Sequence, residues 1–194
     1  MSCNNNSDSE KENRKLKRTA IIGGTFNELH QGHKDYVKLA FEYAEEIYIF
    51  LSSDDYAQIC KSCLVEPYHI RKKYLENYIK EINGFKKYSI YELDSEYSLI
   101  HFCLKNEITM AVVSPEYYLL FQRINRIRED EAKPPLLLLV KQRTKTSEGF
   151  NITSTLIKNL NHDNRMLNFS YSSDLVIYDT INQFKENHPN TMPK

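Results

Sequence analysis

Apolar residues fall along this chain in short runs separated by longer amphipathic stretches. Thr19-Ala20-Ile21-Ile22 ends on Gly23-Gly24, which predicts a buried strand followed by a tight loop. Tyr36, Val37, Leu39, Ala40 and Tyr43 then share one face of a helix. Ile47 to Leu51 predicts a second strand. Pro67 opens a long helix to about Ile82, as proline often does at a first helical turn. Tyr88–Tyr91, Met110–Val113 and Pro135–Val140 predict three more strands, with helices over Tyr97–Lys105 and Tyr117–Glu131. Thr153 starts another helix, and Ser173-Asp174 caps a last one to about Glu186. Apolar strands alternating with helices predict an α/β, Rossmann-like fold: an open five-stranded parallel sheet with helices on both faces.

Three segments follow from the same pattern. Residues 1–17 are rich in Asn, Ser, Glu and Lys and read as a disordered polar tail. Residues 18–160 form the α/β domain, and residues 161–194 an extension with one helix. The length of 194 residues suits one domain with extensions.

Charge changes the functional picture. The 26 basic side chains balance the 26 acidic ones, which removes the usual electrostatic reason to expect a nucleic-acid partner. No apolar run approaches a membrane span, and residues 1–13 carry no signal peptide, so a cytoplasmic protein without a membrane partner is expected. The four cysteines should then be reduced. Cys60-x-x-Cys63 lacks the two further ligands that zinc needs, so no metal site is expected.

Ligands of open α/β sheets bind beyond the carboxyl ends of the strands. Two motifs lie at such ends. The first is Gly23-Gly24-Thr25-Phe26-Asn27-Glu28-Leu29-His30-Gln31-Gly32-His33. Its glycines permit close backbone approach, and a helix start with exposed N–H groups is a ready phosphate site. His30 and His33 stand there as hydrogen-bond donors. The spacing is neither that of a dinucleotide fingerprint nor that of a P-loop, and the missing P-loop argues against a second, kinase activity. The second motif is Asn151-Ile152-Thr153-Ser154-Thr155-Leu156-Ile157-Lys158, with hydroxyls and N–H groups at another helix start.

In this order, the two motifs resemble those of the HxGH nucleotidyltransferases. Val113-Ser114-Pro115-Glu116-Tyr117, Ile124-Asn125-Arg126-Ile127-Arg128 and Pro135-Leu136 are similar to the middle signature of the archaeal and eukaryotic type of pantetheine-phosphate adenylyltransferase. The resemblance covers Thr19 to about Leu160. It implies transfer of AMP from ATP to 4′-phosphopantetheine, giving dephospho-coenzyme A and pyrophosphate, with Mg²⁺ accompanying the ATP. It implies catalytic roles for His30, His33 and Lys61. It places ATP against Gly24, Thr25, Phe26, His30, His33, Arg128, Ile152, Thr153, Ser154, Thr155 and Lys158, and the acceptor against Thr25, Lys61, Ser114 and Glu116. Asn27 stands where the family has Asp, Tyr117 where it has Thr, and Thr153 where it has Ser. Two alternatives remain: a cytidylyltransferase of the same superfamily, which Arg143-Thr144 and Gly149 ahead of Ile152 resemble at the wrong spacing, and a non-catalytic nucleotide-binding module.

Overall fold

The structure, a computed structural model, describes residues 17–60, 64–146, 148–154 and 175–178. Six strands form one sheet: β1 Thr19–Gly24, β2 Glu46–Ser52, β3 Lys87–Leu93, β4 Met110–Val113, β5 Leu137–Lys141 and β6 Leu175–Tyr178. Their order is β3-β2-β1-β4-β5-β6. The first five are mutually parallel, as the pattern predicts, and β6 adds an antiparallel edge. The helices are α1 Gln31–Tyr43, α2 Asp54–Cys60, α3 Tyr68–Ile82, α4 Glu96–Lys105 and α5 Tyr118–Asp130.

Strand alternation divides the core into two layers. Ala20, Ile22, Ile47, Ile49, Leu51, Val112 and Leu139 pack with Val37, Ala40 and Phe41 of α1 and Leu75 and Ile79 of α3. Their neighbours Ile21, Phe50, Ala111, Val113, Leu138 and Val140 turn to the other face, onto Leu99 and Cys103 of α4 and Tyr118, Phe121 and Ile124 of α5. Burial on both faces is why the central strands β1, β4 and β5 are largely apolar, whereas the edge strand β3 carries Lys87, Ser89 and Glu92.

Two elements depart from the sequence-based reading. The helix expected from Ser173 is not formed at Leu175–Tyr178, which pair with β5 in the register Leu138↔Tyr178 to Lys141↔Leu175. Val176, Ile177 and Tyr178 are strand-favouring residues, and the exposed ladder of β5 supplies a partner. The rest of that expected helix, and the residue 1–16 part of the expected tail, lie outside the described residues. Helix α2 was not foreseen; Ser53 Oγ accepts from the Tyr56 N–H at 3.1 Å and starts it.

The middle signature serves this fold. Asn125 clasps the backbone of Leu136, its Nδ2 donating to the carbonyl at 2.9 Å and its Oδ1 accepting the N–H at 2.8 Å. Arg128, which is buried, donates to the carbonyls of Pro134 (2.9 Å), Ile108 (3.2 Å) and Cys103. These carbonyls precede β5, precede β4 and end α4, so Arg128 sits at the amino-terminal end of the sheet. The expectation that Arg128 touches a phosphate is therefore corrected: it lies at the end of the sheet opposite the one where open α/β sheets take their ligands, and its donors are already directed at backbone.

Candidate active site

The sheet order reverses at β1, whose neighbours are β2 and β4. A crevice beyond the carboxyl ends of β1 and β4 follows from that reversal. Tyr36 of α1 marks its floor, its hydroxyl donating to the carbonyl of Val112 and lying 3.5 Å from that of Gly23. Burial pushes the Tyr36 hydroxyl well above the ordinary tyrosine range, so it stays a neutral donor.

One cleft collects most of the expected site. Gly24, Thr25, Phe26, His30, His33, Ser114, Glu116, Ile152, Thr153 and Ser154 all line it. Lys61, Thr155 and Lys158 lie outside the described residues, as does Cys63.

The loop after β1 is held in an uncommon shape. Phe26 and Glu28 both have positive φ, 49° and 53°. Left-handed backbone at non-glycine residues persists only where the surroundings enforce it. Arg71, fully buried, provides much of that enforcement. Its guanidinium donates to the carbonyls of Thr25 (2.8 Å), Ser52 (2.9 Å) and Glu66 (2.6 Å) and to Asp54 Oδ1 (2.8 Å). Asn27 adds to it: its Oδ1 accepts the Glu66 N–H at 2.9 Å, and its Nδ2 points at the Leu64 carbonyl at 3.4 Å. The Asn27 side chain is thus buried against residues 64–66. A carboxylate there could accept from Glu66 but could not donate to Leu64.

The histidines follow at the start of α1. His30 is the N-cap residue, and its ring stacks on that of His33 with centroids 3.8 Å apart and 17° between planes. Phe26 packs against His33 at 5.4 Å. Gly32 makes room for this pair: a Cβ there would lie 3.2 Å from the His30 ring. The first N–H groups of α1 precede any i−4 partner, so the same place offers backbone donors to an anion.

The second motif closes the cleft from β5. Thr144 and Ile152 are joined backbone to backbone, Ile152 N–H to Thr144 O at 2.9 Å. The chain turns helical at Ser154, whose Oγ donates to the Asn27 carbonyl at 2.7 Å. Across the mouth, Arg143 pairs with Glu116 at 3.0 Å; both are exposed, so the pair is weak and easily exchanged for a ligand.

Several lining residues were not among the expected site residues: Tyr36, Lys141 and Gln142, and also Tyr117, Arg143 and Thr144, which the motifs had touched without a role. Lys141 carried a usable signal, being the single charge that ends the apolar run Leu136–Val140 at a strand's carboxyl end. Arg71 carried none, because Arg71-Lys72-Lys73 on a helix reads as solvated surface. A second, apolar pocket adjoins the cleft. It shares Gly23, Gly24, Tyr36 and Tyr117 with it and extends over Tyr56, Leu93, Leu99, Leu120 and Phe121.

The cleft therefore presents donors and little accepting charge, a surface for oxyanions. Comparison with known proteins agrees. The profile of the family described as cytidylyltransferase-like matches residues 21–160. A phosphopantetheine adenylyltransferase of Methanosarcina barkeri is 34% identical over 139 residues, which cover 70% of this chain and 83% of that protein. One of Pyrococcus abyssi is 34% identical over 148 residues, covering 73% and 88%. Among solved structures, a protein of unknown function from Archaeoglobus fulgidus superposes with a TM-score of 0.55 at 29% identity, covering 63% of this chain and 87% of that one.

Proposed function

The chain belongs to the cytidylyltransferase-like family, and from that membership we propose that it transfers AMP from ATP to 4′-phosphopantetheine, giving dephospho-coenzyme A and pyrophosphate. The observation that carries this reading is the convergence of the two motifs in one cleft, tied by the Ser154–Asn27 hydrogen bond, in a chain one-third identical to proteins named for that activity.

The chemistry asks little covalent work of the protein. An oxygen of the acceptor phosphate attacks the α-phosphorus of ATP and forms a new P–O bond. The bond from that phosphorus to the bridging oxygen breaks, and its electron pair leaves with pyrophosphate. The attacking oxygen is already anionic, so no base is needed. Catalysis comes from alignment of two polyanions and from donors aimed at the charge that builds up. We assign His30, His33 and the first N–H groups of α1 to the α- and β-phosphates. Thr153 and Ser154, with Thr155 and Lys158 following, hold the β- and γ-phosphates. Thr25, Ser114 and Glu116 lie on the acceptor side, where Lys61 is the expected phosphate partner. The adjoining apolar pocket suits the uncharged arm of the acceptor.

Mg²⁺ is proposed to enter with the nucleotide. Among the described residues no three His, Cys, Asp or Glu side chains converge on one point. Glu116 is paired with Arg143, and Asp35 accepts from Thr144 and Gln31. The lining therefore fits phosphate oxygens, and these with water would hold the ion. Bound there, it would spread the charge of the leaving pyrophosphate.

A pyrophosphate-release assay tests the reading. With Mg²⁺, ATP and 4′-phosphopantetheine the full chain should form dephospho-coenzyme A. Release with CTP and an alcohol phosphate, and none with ATP, would replace it by cytidylyl transfer.

A further inference from the structure

Lys141 ends β5 at the cleft, yet it is buried. Burial of an ammonium is costly, and a lysine at the end of a sheet normally extends its stem to bring its charge into water. Here the charge is held inside by a chain of hydrogen bonds. Nζ donates to Thr144 Oγ1 at 2.9 Å and to the Gln142 carbonyl at 3.0 Å. Thr144 Oγ1 donates to Asp35 Oδ2 at 2.7 Å, and Asp35 Oδ1 accepts from Gln31 Nε2 at 2.7 Å. The polarity of the chain is fixed: the ammonium only donates, the carboxylate only accepts, and the hydroxyl joins them.

This arrangement reaches across the fold, from α1 to the end of β5. Thr144 lies beside the histidine motif, since a Cβ on Gly32 would be 3.8 Å from Thr144 Cβ. Two of the three ammonium donors are engaged within the protein, which leaves one for a ligand. Burial pulls the Lys141 ammonium below its ordinary range, and Asp35, acting through the intervening hydroxyl, opposes that pull. A cation deprived of water, with its carboxylate one residue removed, is complemented by a polyanion that enters the cleft.

We propose that Lys141 is a catalytic residue that donates its third N–H to the triphosphate of the bound nucleotide, and that Thr144 and Asp35 are positioning residues that hold it there. The proposal rests on the nucleotidyl-transfer reading of the cleft. Lys141 remains protonated throughout and forms no bond to phosphorus. Its part is to offset charge on the triphosphate beside the histidines.

The test uses calorimetric titration of ATP with Mg²⁺ into the full chain, alongside pyrophosphate release. Lys141→Met removes the ammonium and keeps the stem; Asp35 keeps its bonds from Thr144 and Gln31 but loses the nearby cation, so the variant's fold is checked by its melting temperature. ATP affinity should fall about ten- to a hundredfold, the worth of one hydrogen bond to a charged group. Lys141→Arg should recover part of the loss. Thr144→Val and Asp35→Asn, which leave the ammonium but loosen it, should raise the KM for ATP by less. A Lys141→Met chain that binds ATP as tightly as the unaltered one overturns the proposal. If that variant does not fold, Thr144→Val decides: unchanged ATP affinity and turnover overturn it. An unaltered chain that binds ATP but forms no dephospho-coenzyme A removes the acceptor assignment alone, because the binding arm needs no acceptor.

Discussion

Ser154 Oγ donates to the backbone carbonyl of Asn27 at 2.7 Å, across 127 positions of sequence. This bond locks the helix start after β5 onto the strained loop after β1. It joins the two segments that line the cleft. Ser154→Ala should therefore cost about 1 kcal/mol of stability, the usual net worth of such a bond. It should also raise the KM for ATP beyond what that small loss explains, whereas Ser154→Thr should retain most of both. Denaturant midpoints and steady-state kinetics measure the two effects.

The stacked histidines should act as donors to oxygens that gain charge during transfer. His33→Ala should lower kcat by about 10²–10³ while raising the KM for ATP much less, the pattern of an interaction made mainly in the transition state. His30→Ala should behave alike, and His33→Asn should recover part of the loss. A folded His33→Ala chain with undiminished kcat would remove the role assigned to the motif.

Gly32 tests the stack without touching either ring's chemistry. An added methyl would lie 3.2 Å from the His30 imidazole, so the ring has to move by a few tenths of an ångström. Gly32→Ala should lower kcat by about tenfold, because donors act only when pre-placed. The melting temperature should hold, since alanine favours a helix over glycine. Turnover equal to that of the unaltered chain would show that the ring position is not critical.

Arg128 should behave as an architectural residue. Arg128→Ala leaves the carbonyls of Pro134, Ile108 and Cys103 without their donor, which should cost about 3 kcal/mol or more. Turnover per folded molecule should not change. A loss of ATP binding in a chain that still folds would return Arg128 to the binding site.

Cys103 should be chemically silent. Burial pushes its thiol up to about 12, so the reactive thiolate is scarce at neutral pH, and the sulfur is fully enclosed. In a chain with Cys3, Cys60 and Cys63 replaced by serine, a thiol reagent should label nothing until denaturant is added. Rapid labelling of the native chain would contradict this packing.

What the sequence by itself determined was local. Short apolar runs marked β1 to β5 and the period of 3.6 residues marked four of the five helices, because runs and amphipathicity depend on neighbours in the chain. The His30–His33 and Ile152–Ser154 motifs were legible for the same reason: each is contiguous, and its residue types state its chemistry. Tertiary structure alone decided which polar groups face substrate and which face backbone. The resemblance puts Arg128 at a phosphate and Arg71 reads as solvated helix surface, yet both are buried on carbonyls supplied by distant segments. Arg71 meets Thr25 and Ser52, 46 and 19 positions away. Lys141 meets Asp35 only through Thr144, and Asn27 looks like a lost charge until residues 64–66 fold over it. The edge strand β6 likewise needed the open ladder of β5. Hydrogen bonds between remote segments leave no period in the sequence, because their partners are brought together only when the sheet closes its two apolar layers.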